Sequence, residues 1–391
     1  MTPDQCVLPC EGIEPAKDSR FEPRPSLVVD ARMLFSSGIG RYLREILSRR
    51  PDWIDQSLYV VCNRAEQCDW FRSYLPAASL IRSKAGIYSL REQWHALTFP
   101  KCAAYWVPHY NVPSLSNGRL IVTVHDVAPL ALPEAFGGTL KRMATHFYFG
   151  RVRSRAQHII TVSQFTKGEI LRHGIAASGK ISVIPNGVAS YWFEGSSVEP
   201  RIQRLLYVGN LKPHKNLARL VEAVEKVRLH AAVELTVAGR FDGFRTGLED
   251  SLITQLRSTP WIHLLGETSD EELRKLYNES EALVFPSLYE GFGLPILEAM
   301  AAGCPVISSN IPALVELAGA SREAGGIVEY FNPEDSGEMA TAILRQLRIP
   351  SCERTRAAAE GRRLAASHSW LATAKATWEL LVDNVLSKAI G

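Results

Sequence analysis

The chain has 391 residues, 46% of them hydrophobic and 22% charged, which is enough for two domains of ordinary globular composition and excludes a disordered scaffold or a collagen-like fibre. A formal net charge of +3 hides an asymmetry: residues 1–193 carry 23 basic against 15 acidic side chains, a net of +8, while the remainder carries 21 against 26, a net of −5. The basic half points to an anionic partner, and nucleic acid, an anionic membrane face and a phosphorylated substrate are the candidates.

Residues 1–25 read as a loose N-terminal arm rich in proline and acids, without the apolar segment of a secretion signal. A first series of short, near-continuous apolar runs follows at 26–30, 57–62, 103–107, 120–124, 158–162 and 181–184, and a helix is expected over 39–49. A second series starts at Leu205 and continues at 233–238, 261–265, 282–285, 305–308 and 326–328, with helical periodicity at 216–228 and 270–280. Runs that are apolar throughout, not alternating, predict strands covered on both faces and so a mostly parallel sheet in each half. Polar residues 189–204 are the linker candidate, and 353–389 read as helical. The expected division is therefore an arm (1–25), a first Rossmann-like domain (26–190), a second (191–365) and a C-terminal helix (366–391) that packs back on the first domain. Two such domains leave a cleft at the carboxyl ends of their strands, where ligands bind in this architecture.

Seven cysteines lack the paired spacing of a zinc site and the density of a disulfide scaffold, which fits a reducing compartment and no metal site. No run of about 18 apolar residues occurs. The expected location is cytoplasmic, with at most peripheral contact on the inner face of the cytoplasmic membrane.

Residues 285–298, FPSLYEGFGLPILE, carry the densest chemistry. A strand ends in Gly291-Phe292-Gly293, and Leu294-Pro295 open a helix whose free amides and positive dipole end suit phosphate oxygens. Glu298, inside that helix, is placed for a ribose hydroxyl pair, whereas Glu290 precedes the turn and projects elsewhere. The two carboxylates are thus expected to do separate work. In 207–217, YVGNLKPHKNL, a turn at Gly209 is followed by Lys212, His214 and Lys215, and a lysine there can stabilise a leaving diphosphate.

Glu290 and Glu298 form a Glu-x7-Glu pair, and EGFGLPILEAMAAGCPVISSN resembles glycosyltransferase family 4, retaining enzymes of the GT-B fold. The resemblance implies an α/β protein of two Rossmann-like domains, a nucleotide-sugar donor and no required cofactor. In the family the Gly209 turn commonly carries an arginine and a lysine five residues apart; here the lysine is Lys215 but the arginine position is Asn210. Either Lys212 or Arg240 substitutes, or Asn210 acts by hydrogen bonding alone. Gly239 with Arg240 forms another strand-end turn, and 262–269 resembles the stretch that meets the base, making Leu265 and Gly266 candidates.

In the first domain, Ser36 to Arg41 (SSGIGR) is a glycine loop that falls short of a dinucleotide fingerprint. The resemblance implies instead that Gly38 and Gly40 let backbone approach the donor phosphates or the acceptor, and that His125 in VTVHDV faces the transferred sugar. Asp126 and His109 are acceptor-side candidates. The implied roles are Glu290, Lys215 and His125 as catalytic residues, with Gly209, Asn210, Lys212, Gly239, Arg240, Leu265, Gly266, Phe292, Gly293, Leu294, Glu298, Gly38 and Gly40 on the donor. Similarity to bacterial members that build surface polysaccharides implies a mannosyltransferase using GDP-mannose on a saccharide or lipid-linked saccharide acceptor, with no nucleic acid. UDP-glucose-type or deoxy-sugar donors, a UDP-sugar 2-epimerase and a non-catalytic nucleotide-sugar-binding subunit are the alternatives. The basic, aromatic stretch 141–158 is read as core at Phe147, Tyr148 and Phe149, with its cations free to meet lipid head groups.

Overall fold

The computed structural model describes residues 26–116, 118–195, 203–240, 247–320, 322 and 325–386; the expected arm lies outside them. The first sheet holds seven parallel strands, β1 (Leu27–Asp30), β2 (Leu58–Cys62), β3 (Ser79–Arg82), β4 (Ala104–Val107), β5 (Arg119–Val124), β6 (Ala156–Thr161) and β7 (Ile181–Val183), in the order β3-β2-β1-β4-β5-β6-β7. The second holds β8 (Arg204–Val208), β9 (Glu234–Ala238), β10 (Ile262–Gly266), β11 (Ala282–Phe285), β12 (Val306–Ser309) and β13 (Glu329–Phe331), parallel and ordered β10-β9-β8-β11-β12-β13. In each sheet the order reverses beside the first strand, which opens a crevice at the carboxyl ends.

Every expected apolar run but the last became a strand, most of them with side chains buried on both faces, as all four are in β1, β4 and β11; β10 keeps two residues exposed. Two details differ. The edge strand β3 was not expected, because SLIR is a four-residue run with polar ends and both ends are exposed. The last strand is 329–331, not 326–328, because Gly325 takes a positive φ of 85° and the chain is still turning there.

Chain ends of the two domains are tied together. The C-terminal segment breaks at Ser367 into helices Ser351–Ala366 and Trp370–Leu386, and the latter packs on the first domain's Ser37–Leu47 helix, with Trp378 Nε1 donating to the Ile46 carbonyl at 2.9 Å. Val188 pairs with Ser369 and its N–H reaches the His368 carbonyl at 3.0 Å. Gly187 is required here: a Cβ would stand 2.0 Å from the Trp370 nitrogen. The linker candidate is not loose at its start, where Trp192 is buried against Tyr277; residues 196–202 lie outside the described set.

The domains also meet along a seam. The carboxylate of Glu316 accepts from the amides of Gln164 and Phe165, both at 2.7 Å, capping the Gln164–Arg172 helix from the opposite domain. Ser163 Oγ donates to the Gly291 carbonyl at 2.6 Å, and Phe136 stacks on His214. In the Thr139–Arg155 helix Tyr148 and Phe149 are core, but Phe147 is exposed, which corrects the expectation for that residue.

Candidate functional site

A cleft of about 720 Å³ lies between the carboxyl ends of both sheets. Its second-domain wall consists of four loops, each following a strand. After β8 come Gly209, Asn210, Lys212 and Lys215; after β9, Gly239 and Arg240; after β10, Glu267 to Asp270; after β11, Tyr289 to Pro295.

Glycine is needed where these loops crowd. Gly239 has φ +151° and a Cβ there would meet the Gly209 carbonyl oxygen at 2.0 Å, so the first two turns lie back to back. Gly293, at φ +115°, releases the chain into the Leu294–Ala302 helix with Pro295 in its first turn. That helix start lines the cleft and carries no side-chain cap, the arrangement that binds anionic oxygens.

Lys215 and Glu290 meet on this wall, Nζ to Oε1 at 2.5 Å, and Ser287 Oγ donates to the same oxygen at 2.6 Å. Asn216, at φ +60°, fixes Lys215 from behind: its side-chain amide donates to the carbonyls of Pro286 and Pro333 at 3.0 and 2.7 Å. Lys212 lines the cleft nearby, and its pKa is lowered, first by burial and opposed by the field of Asp126. Arg240 stands at the exposed rim, paired with Glu267 at 2.5 Å.

First-domain residues form the opposite wall: Phe35, Ser37, Gly38, Ile39, Arg41 and Arg44 after β1, His125 and Asp126 after β5, and Asn186 after β7. His125 Nε2 lies 3.0 Å from the Pro108 carbonyl, and the ring packs edge-on against Tyr42. A carbonyl only accepts, so Nε2 carries the proton and Nδ1 keeps a lone pair. Burial lowers the imidazole to about 4, so it is neutral near physiological pH. Asp126 spends Oδ1 on the amide of Ala128 at 2.9 Å, capping its own loop. The two walls touch at Gly291, where a Cβ would stand 1.9 Å from the His125 carbonyl oxygen.

Several expected residues stand elsewhere. Gly40 does not line the cleft; it lets the helix approach its own loop, since a Cβ would lie 2.4 Å from the Leu34 carbonyl oxygen. Gly38 does line it. His109 is buried, with Nδ1 3.1 Å from Asn111 Oδ1 and 3.3 Å from the Tyr88 hydroxyl, and burial lowers it to about 3. It belongs to an interior polar cluster in which Arg32 binds Asp30 and Glu92, and Asn111 binds Glu92. Leu265 is half-exposed and Gly266 accepts the Gly239 N–H at 2.8 Å; the wall itself is made by the next four residues, 267–270.

Arg41, Asp270 and Asn186 were missed; Glu298 was expected on the donor side and lines the cleft. Glu298 is buried and its pKa raised, first by burial, while Arg41 opposes the shift from across the cleft. Arg41 also pairs with Asp270. Asn186 is buried in the cleft wall with Oδ1 unpartnered. No short motif announces Arg41, Asp270 or Asn186.

Residues 194–362 match the family described as Glycosyl transferases group 1, and residues 84–190 match Glycosyltransferase Family 4. The O-antigen chain mannosyltransferase B of Escherichia coli is 32% identical over 305 residues, 74% of this chain and 77% of that protein. The O-antigen chain mannosyltransferase RfbU of Salmonella typhimurium is 33% identical over 242 residues, 62% of this chain and 64% of the relative. Among solved structures, Anabaena Alr3699/HepE in complex with UDP and glucose superposes with a TM-score of 0.72 at 16% identity, covering 92% of this chain and 99% of that one, a likeness of fold.

Proposed function

The chain belongs to glycosyltransferase family 4, with a GT-B fold, and from that premise we propose that it moves mannose from GDP-mannose to a saccharide acceptor with retention of configuration, in the synthesis of O-antigen or another surface polysaccharide. The observation that carries this reading is the Lys215–Glu290 pair at the mouth of a phosphate-ready helix start, with His125 on the facing wall. The mannose assignment draws on what the two relatives are named for. The donor-side residues are Gly38, Gly209, Asn210, Gly239, Phe292, Gly293, Leu294 and Glu298.

The acceptor hydroxyl oxygen bonds to the anomeric carbon on the face from which the phosphate oxygen departs. The electron pair of the broken bond goes to the leaving nucleoside diphosphate, whose phosphate oxygen takes the hydroxyl proton. Lys215 and the amides of 292–294 stabilise that diphosphate, and Glu290 holds sugar hydroxyls and offsets positive charge at the anomeric carbon. Once donor is bound, Lys215 divides its charge between Glu290 and the phosphates. His125 accepts a hydrogen bond from a hydroxyl at Nδ1 and so orients sugar or acceptor. Lys212, not Arg240, supplies the cation that Asn210 does not, because Lys212 lines the cleft among Asp126, Lys215 and Glu290, while Arg240 is bound to Glu267 at the rim.

A panel of GDP-mannose, UDP-glucose, UDP-N-acetylglucosamine and dTDP-rhamnose, followed by release of nucleoside diphosphate, tests donor choice; GDP-mannose should lead. Glu290→Ala and Lys215→Ala should each lower kcat by roughly 10²-fold or more. Unchanged turnover in both would overturn the catalytic assignment.

The acceptor in this reading is lipid-linked and the first domain rests on an anionic bilayer. Leu140, Met143 and Phe147 are exposed along one helix beside Lys141 and Arg142, and the neighbouring Leu90 and Trp94 are exposed beside Arg91. Apolar side chains interleaved with cations suit a head-group boundary. Among the described residues no helix is long and apolar enough to cross a membrane. Sedimentation with phosphatidylglycerol liposomes should be strongest at low salt, and absence of binding there would remove the contact.

A further inference from the structure

We propose that Arg41 is a positioning residue for the nucleotide ribose, holding the Glu298 carboxylate from across the cleft so that ribose recognition and domain closure depend on one guanidinium. This rests on the nucleotide-sugar reading above and adds to it a residue from the other domain.

Arg41 lies one turn into the Ser37–Leu47 helix, whose first residues also line the cleft. Its Nη1 donates to Glu298 Oε1 and its Nη2 to Asp270 Oδ1, and its guanidinium sits 5.4 Å from the Trp192 ring centre. Tyr277 donates to Glu298 Oε2 at 3.3 Å, and Tyr191 donates to the far oxygen of Asp270 at 2.6 Å. One guanidinium thus binds the first domain to two helices of the second and lies over the segment that joins them.

A carboxylate offers about four acceptor directions. Arg41 and Tyr277 occupy one on each oxygen, which leaves one on each for a vicinal diol. Arg41 therefore need not leave when ribose arrives; it sets the angle at which Glu298 meets it. Glu298 is also almost fully buried, and a buried carboxylate without a cation protonates and loses strength as an acceptor. The titratable groups facing it are Arg41 from the first domain, Asp270 and Tyr277 from the Asp270–Glu279 helix, and the Tyr191 hydroxyl from the joining segment. Arg362, on the Ser351–Ala366 helix packed against the same element, is spent on the Phe193 carbonyl. Asp270 opposes ionisation, so Arg41 is the cation that keeps Glu298 charged. Removing it moves the Glu298 pKa up. Affinity for ribose is then full above that raised value and is lost as pH falls through it.

The test is calorimetric titration of the full chain with GDP and with UDP from about pH 6 to about pH 8.5. Wild type should bind with little pH dependence. Arg41→Met, which keeps the stem over Trp192, should bind roughly tenfold more weakly near neutrality, with the loss growing toward acid. Arg41→Lys should recover most of the affinity and the flat profile. Glu298→Gln should be weak and flat, and Arg41→Met should add nothing to it. An Arg41→Met variant that binds as tightly as wild type, or that weakens equally at every pH and also on the Glu298→Gln background, would overturn the proposal while leaving the nucleotide-sugar reading intact. Wild type that binds neither nucleotide would overturn both.

Discussion

The two walls of the cleft are built by different means. The second-domain wall is largely backbone: at three of its four strand-end turns glycines press against each other or start a helix, and the Lys215–Glu290 pair stands among them. The first-domain wall is side chains, with His125 and Asp126 from one loop, Asn186 from another and Arg41 from a helix. A backbone wall suits the constant part of a substrate, such as a diphosphate, because amide positions are fixed by the fold. A side-chain wall can be rewritten one residue at a time, as changing acceptors would require.

The contrast is most sharply tested where the walls touch. Gly291→Ala places a Cβ against the His125 carbonyl without disturbing either domain, so kcat should fall by about 10²-fold while the melting temperature stays near wild type. Scattering should report a larger radius of gyration. Gly40→Ala makes a similar overlap inside one domain, at the Leu34 carbonyl, and should do the reverse, costing about 1–3 kcal/mol of stability with activity per folded molecule retained. A kinetic defect in Gly40→Ala with unchanged melting would return Gly40 to the ligand.

A smaller effect is expected at the seam. Glu316→Ala uncaps the Gln164–Arg172 helix only when the domains are together, so about 1 kcal/mol should be lost from the closed state, a few-fold in kcat. No effect is expected from the His125 proton. Because that ring titrates at about 4, kcat/KM should run flat through the ordinary histidine range, rising nowhere between about pH 5.5 and about pH 7.5 on its account. A limb near 6.5 that His125→Gln abolishes would show the ring to be charged in the working enzyme.

The same difference explains which parts of the site are legible in the sequence. Residues 285–298 and 207–217 are legible because a strand, a glycine turn and a helix start lie side by side in the chain, and local chemistry fixes their geometry. Arg41 is illegible for the opposite reason. Its partners are 229 and 257 residues away, and nothing in SSGIGR distinguishes it from a solvated arginine. Glu316, 152 residues from the helix it caps, is similar. His109 and His125 both follow strands, yet only one faces the cleft, because PHYN turns inward to serve the Asp30–Arg32–Glu92 cluster. Strand-end position narrows the candidates; burial chooses among them. Leu265 and Gly266 missed by a few residues because β10 runs to Gly266 and the wall begins with the next residue.

The backbone passes between the domains twice, at 188–190 and again at 367–370, and the passages are zipped together by the Val188–His368 bond and by Thr373 Oγ1 on the Pro185 carbonyl. A protein body hung from one strand can swing and spin. Hung from two strands laid side by side, it resembles a door on a strip hinge, free to rotate about the strip and stiff against twisting. Whatever opens this cleft to admit a donor is therefore a rotation about that strip, and the second-domain wall returns to the same register against His125 each time it shuts.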